Sequence, residues 1–116
     1  MKLYNIDRQC IVASHLEIAE DVRSRTRGLI GHRPLRMGEA MLISPCRWIH
    51  TFRMSFPIDV IYVDRNWHIV ALTENLAPNR IDRPVLRAYA VIEMMACAIR
   101  NLGLAVGDQL QLQPDS

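Results

Sequence analysis

Ile58-Asp59-Val60-Ile61-Tyr62-Val63, then Asp64-Arg65-Asn66, then His68-Ile69-Val70-Ala71-Leu72, is the stretch that decides the fold. β-branched and aromatic side chains fill the first run except at Asp59, and such residues suit a pleated, buried surface. Pro57 cannot donate to a strand ladder, so it marks where that strand begins. Asp64, Arg65 and Asn66 supply a turn in which Asn and Asp tolerate left-handed backbone, and the second run returns as an antiparallel partner. The segment therefore predicts a β-hairpin.

Working outward, Ala40-Met41-Leu42-Ile43 lies between Gly38 and Ser44-Pro45 and is too short for a buried helix, so it reads as a strand. Cys10 to Ala13 and Leu16 to Ala19 read as an opening hairpin about Ser14-His15. Asp21 as N-cap, with Val22, Arg25, Thr26, Leu29 and Ile30 near helical spacing and Gly31 and Pro34 as stops, predicts the principal helix over about residues 21–31. Trp48 to Met54 alternates loosely, and Leu76 to Pro84 mixes Asn, Pro, Arg and Asp as an aperiodic surface loop. Tyr89 to Leu102 divides into a strand and a short helix that ends at Gly103. Gln109 to Gln113 alternates strictly, as a half-buried last strand does. The expectation is a single α+β domain over residues 1–116, strand-rich and compact.

Composition narrows the function classes. At 116 residues and 50% apolar content the chain can bury one core without disulfides or a structural metal. Cys10, Cys46 and Cys97 form an odd set with no Cys-x-x-Cys spacing, which fits reduced thiols packed as small apolar groups. The opening residues lack a basic segment followed by an apolar signal core, and no run is long enough to span a membrane, so a cytoplasmic, membrane-free protein is expected. Net charge is only +2, and Glu17, Glu20, Asp21 and Glu39 lie near the arginine cluster Arg23, Arg25, Arg27, Arg33 and Arg36. Nucleic acid is accordingly the disfavoured partner, and strongly salt-dependent retention on DNA or RNA would be its signature.

Pro45-Cys46-Arg47-Trp48-Ile49-His50-Thr51-Phe52-Arg53-Met54-Ser55-Phe56-Pro57-Ile58-Asp59 resembles the central signature of domain-of-unknown-function family 192, a prokaryotic family. Arg27-Gly28-Leu29-Ile30-Gly31-His32-Arg33, Gly38 to Ile43, Val91-Ile92-Glu93 and Gly107-Asp108 resemble its flanking elements, so the likeness runs over about residues 16–112. The resemblance implies a small barrel-like antiparallel or mixed sheet with one principal helix, and it implies no reaction. Ala40, Cys97 and the Asn66-Trp67 turn depart from positions where that family is expected to carry glycine or an Asp-Gly type of turn.

Cys46, His50 and Asp59 are the candidate catalytic groups, because thiol, imidazole and carboxylate are the parts of a covalent catalyst. On an extended strand Cys46 and His50 would lie roughly 13 Å apart, so contact needs a bend. Candidate binding residues are His50, Thr51, Arg53, Asp59, Glu93 and Arg27. Glu93 sits inside an apolar run, where an unpaired carboxylate is costly, so it is expected to meet Arg27 or Arg53 or to face solvent. His50, Asp59, His68 and Glu93 lack the short paired spacing of zinc motifs, and neither a metal nor another cofactor is expected.

The reading that follows is a non-enzymatic module for a small ligand or a protein partner, with a polar cleft around His50 to Asp59 and the Leu76 to Pro84 loop. The alternatives are a small hydrolase-like or thiol-dependent enzyme using His50 with Cys46 or Asp59, and an arginine-mediated nucleic-acid binder.

Overall fold

The computed structural model describes residues 1–19 and 33–115. In chain order they form β1 (Lys2–Asn5), β2 (Cys10–Ala13), β3 (His15–Ala19), β4 (Glu39–Ile43), β5 (Ile58–Val63), β6 (Ile69–Leu76), β7 (Ala90–Met95), helix α1 (Ala98–Leu102) and β8 (Leu110–Gln113). The strands make a three-stranded sheet of order β2-β1-β8 and a five-stranded sheet of order β3-β4-β7-β5-β6.

The decisive hairpin is present as β5 and β6, paired antiparallel, with β7 on the other side of β5. All six β5 residues are buried, which explains its unbroken apolar character: a strand covered on both faces has no solvent side to mark with polar residues. One face carries Ile61, Val63, Ile92 and Met94 and packs on Leu3, Val12 and Leu110 of the small sheet and on Ile99 of α1. The other face carries Val60, Tyr62, Val91 and Met41 and packs under Ile49, Met54 and Phe56. The five-stranded sheet is thus the middle layer, with the small sheet below and the segments 45–57 and 77–89 above.

The expected opening hairpin is not formed. β2 pairs antiparallel with β1, whereas β3 runs parallel to β4 in the other sheet. The backbone N–H groups of Ser14 and His15 both donate to the Gly38 carbonyl, at 2.9 and 3.0 Å, so a distant loop holds the chain where a tight turn was expected. Gly38 stands at φ +86°, a backbone conformation that L side chains rarely adopt, and a Cβ there would also displace Ser14 Oγ, 2.8 Å away, so the conformation is what favours glycine. The strand ladders form two sheets, joined by the bridge between His68 and Gln109 and by the Leu16 N–H donating to the Met1 carbonyl at 2.9 Å, and the ladders of the described residues do not make one closed barrel. The helix expected over 21–31, with Arg27, lies outside the described residues. Among the described residues no helix is long and apolar enough to cross a membrane.

Candidate functional site

The layer above the sheet is organised as a two-strand ribbon. Thr51 N–H donates to the Arg80 carbonyl and Asp82 N–H to the Ile49 carbonyl, at 2.8 and 3.0 Å, and His50 bridges antiparallel to Ile81. Extended backbone sends alternate side chains to opposite faces. Ile49, Thr51 and Asp82 consequently turn inward and are buried, while Trp48, His50, Phe52 and Ile81 turn outward.

The inward polar groups fasten the ribbon. Thr51 Oγ1 donates to the Ala77 carbonyl at 2.6 Å and accepts the Arg80 N–H at 2.9 Å. Asp82 Oδ2 accepts from Tyr62 and from Thr73, each at 2.7 Å, which bolts the ribbon to β5 and β6. Burial, with the Asp82 carboxylate beside it, holds the Tyr62 phenol far above its ordinary range, so this donor keeps its proton at any physiological pH. Arg53 is exposed at φ +66°, and its N–H donates to Asn79 Oδ1 at 3.3 Å.

Asp59 and Glu93 occupy opposite faces of the same sheet. Asp59 pairs with Met94, on the side of the small sheet. Its register position faces a bulge in β6, where the pairing shifts between Ile58 and Val60. There Asp59 Oδ1 accepts the N–H of Asn75 at 2.8 Å and of Cys97 at 3.1 Å, and Oδ2 accepts the N–H of Ile99 at 2.8 Å. The carboxylate satisfies an amide freed by the bulge and two at the start of α1.

Glu93 pairs with Met41 and Val60, which places it on the ribbon side. Burial alone pushes its carboxyl up to about 8, and among the described residues no arginine pairs with it. Cys46 lies near enough to feel that carboxyl. Burial, reinforced by Glu93, raises the Cys46 thiol above its usual range, and the thiol donates to the Trp48 carbonyl at 3.1 Å. A raised thiol is a poor nucleophile at neutral pH. His50 faces outward, its Nδ1 accepting the Phe52 N–H at 3.2 Å. The structure therefore brings Cys46, Tyr62 and Glu93 to one side of the sheet, leaves His50 and Arg53 on the outer surface, and holds Asp59 on the far side. All three cysteines are free, and Cys97 is exposed, not packed as a small apolar group. Among the described residues no three His, Cys, Asp or Glu groups are placed to share a metal ion.

Sequence reasoning passed over the groove at one end of the ribbon. A hollow of about 690 Å³ is lined by Cys46, Arg47, Trp48, Arg65, Arg87 and Tyr89, among others. The Arg65 guanidinium lies over the Tyr89 ring, 4.4 Å from its centroid. Asp64 also borders the hollow, but its Oδ1 is committed to the N–H groups of Asn66 and His68 at 2.9 and 3.0 Å. Its arginines come from three segments, Arg47 and Arg87 of the upper layer and Arg65 of the β5–β6 turn, so no local spacing in the sequence announces them.

The family model DUF192, described as Uncharacterized ACR, matches residues 4–112. The chain belongs to the DUF192 family. Two solved structures share this DUF192 fold. One is a protein of unknown function from Novosphingobium aromaticivorans, at 19% identity and a TM-score of 0.82, with 96% of this chain and 82% of that chain covered. The other is a candidate transcription regulator from Sinorhizobium meliloti, at 23% identity and a TM-score of 0.76, with 95% and 89% covered. At those identities the likeness speaks for the fold alone. No curated protein matches the chain significantly.

Two positions where glycine or an Asp-Gly type of turn was expected acquire a physical meaning. Cys97 stands at φ +73° and Trp67 at φ +67°, left-handed conformations that glycine adopts without cost and an L side chain does not. Trp67 repays the cost by packing on the core, whereas the exposed Cys97 side chain has only a weak contact to Asn75 Oδ1 at 3.5 Å. Cys97→Gly should therefore stabilise the domain by about 0.5–1 kcal/mol, raising Tm by roughly 3–5 °C in thermal denaturation. A lowered Tm would show that the thiol contributes more than its backbone costs.

Proposed function

We propose that this domain is a non-catalytic binding module whose ligand is an anion held in the groove at the end of the ribbon. The observation that carries the reading is the charge of the groove wall: Arg47, Arg65 and Arg87 line it beside Trp48 and Tyr89 and outnumber its one carboxylate, Asp64, whose Oδ1 accepts turn amides. Guanidinium groups bind phosphate and carboxylate through paired donors, and aromatic rings give such a site an apolar wall. The outward placement of His50 and the far-side placement of Asp59 separate the parts that a thiol- or imidazole-dependent enzyme would need together, which supports binding over catalysis. Three free thiols fit residence in a reducing, cytoplasmic compartment.

Trp48 fluorescence titrated with inorganic tripolyphosphate tests the proposal. The wild-type chain should give a saturable change, and Arg47→Ser with Arg87→Ser should weaken binding at least tenfold while the thermal melt stays unchanged, because both side chains are exposed. Equal affinity of the double variant would remove the groove as the site.

A further inference from the structure

The outer face of the ribbon carries a row of rings continuous with the groove. Trp48 and Phe52 are 48% and 43% exposed. The His50 ring stacks on Phe52, with centroids 4.9 Å apart at 27°, and stands 6.1 Å from Trp48 at 48°. Trp48 and His50 lie two apart on extended backbone and Phe52 follows in the turn closed by the Met54 N–H on the Thr51 carbonyl, so the measured ring contacts set the three rings in sequence. Exposed hydrophobic rings on a monomer mark an interaction surface when they are contiguous.

The segments that carry and flank this line are predominantly basic. Segments 45–57 and 77–89 hold five arginines and a single carboxylate, Asp82. Asp82 is buried and bonded inward by Tyr62 and Thr73, so it neutralises little of the outer face. Arg83 leans back on Asp82 and Thr73. Arg47, Arg53, Arg80 and Arg87 are exposed, and none of them makes an ion pair among the described residues. The modest net charge of the whole chain conceals this imbalance.

We infer that the ribbon is a track for single-stranded nucleic acid, an inference that rests on the anion-binding reading of the groove. Bases stack on Phe52 and Trp48, the four uncommitted arginines take phosphates, and the groove receives a terminal or bridging phosphate. Stacking requires open base faces, which a single strand offers and a duplex hides. An acidic peptide of carboxylates alone would occupy the arginines and leave the line of rings unexplained.

The test is fluorescence anisotropy with end-labelled dT15, an abasic strand of the same length and polyglutamate, at several salt concentrations. The wild-type chain should bind dT15 at least tenfold more tightly than the abasic strand. Phe52 lies outside the groove, so Phe52→Ala should weaken dT15 about fivefold or more and leave tripolyphosphate affinity unchanged. Arg47→Ser with Arg87→Ser should reduce the slope of log K against log salt by about 1.4, at roughly 0.7 for each lost phosphate contact with a single strand. Equal binding of dT15 and the abasic strand, or polyglutamate binding as tightly as dT15, would overturn the track while the groove still binds tripolyphosphate. Failure to bind either strand or tripolyphosphate would overturn both readings.

Discussion

Asp59→Ala should destabilise the domain strongly, costing about 3–5 kcal/mol and lowering Tm by roughly 10–25 °C. The cost follows from what the carboxylate does: it is fully buried and accepts three backbone N–H groups from two segments far apart in sequence, the bulge at Asn75 and the entry to α1 at Cys97 and Ile99. Removing it strands those donors away from water. Asp59→Asn should be milder, at about 2 kcal/mol, because an amide oxygen can still serve Asn75 and Cys97, whereas the amide nitrogen would meet the Ile99 N–H donor to donor. Denaturant unfolding of the two variants checks the order. A loss below about 1 kcal/mol for Asp59→Ala would show that water replaces the carboxylate.

The second large effect depends on pH. Glu93 has a folded-state pKa of about 8 against an ordinary 4.5, with burial as the cause. Between those values the folded chain keeps a proton that the unfolded chain releases, so folding stability falls as pH rises through this window, by about 1.4 kcal/mol per pH unit, and levels off above the upper value. Glu93→Gln should match the wild type near about pH 5 and exceed it by several kcal/mol, on the order of 4, near about pH 8.5. The difference between the two unfolding curves isolates this group from every other titration. If Gln proves less stable at the higher pH, the carboxylate is ionised and held by a cationic partner, as sequence reasoning expected for Glu93 with Arg27 or Arg53.

Most regular elements were legible because their signals are local. The β5–β6 hairpin announces itself by composition and by the Asp64 turn, and α1 announces its end by Gly103, which stands at φ +65°. β1 went unread because Lys2 to Asn5 is short and owes its place to partners on both sides, β2 and β8. The false hairpin at 10–19 arose because Ser14-His15 looks like a turn, whereas its N–H groups are claimed by Gly38.

The candidate site was less legible, for a related reason. Residue types at Cys46, His50 and Asp59 suggested one constellation, but strand alternation sends Asp59 and Glu93 to opposite faces and His50 outward. Asp59 interrupts an apolar strand to hold remote amides, a role that no spacing in the sequence reveals. Trp48 to Met54 carried the useful hint in its loose alternation. Its partner, Arg80 to Val85, has no periodicity, so the pairing that aligns rings and arginines appears only in three dimensions.

The division between a structural underside and a binding upper layer is best tested by amide chemical-shift mapping during titration with tripolyphosphate. Saturable shifts confined to Arg47, Trp48, Arg65, Arg87, Tyr89 and their immediate neighbours are the predicted result, with β1, β2 and β8 unmoved. Shifts scattered over all exposed arginines, or none at all, would contradict it.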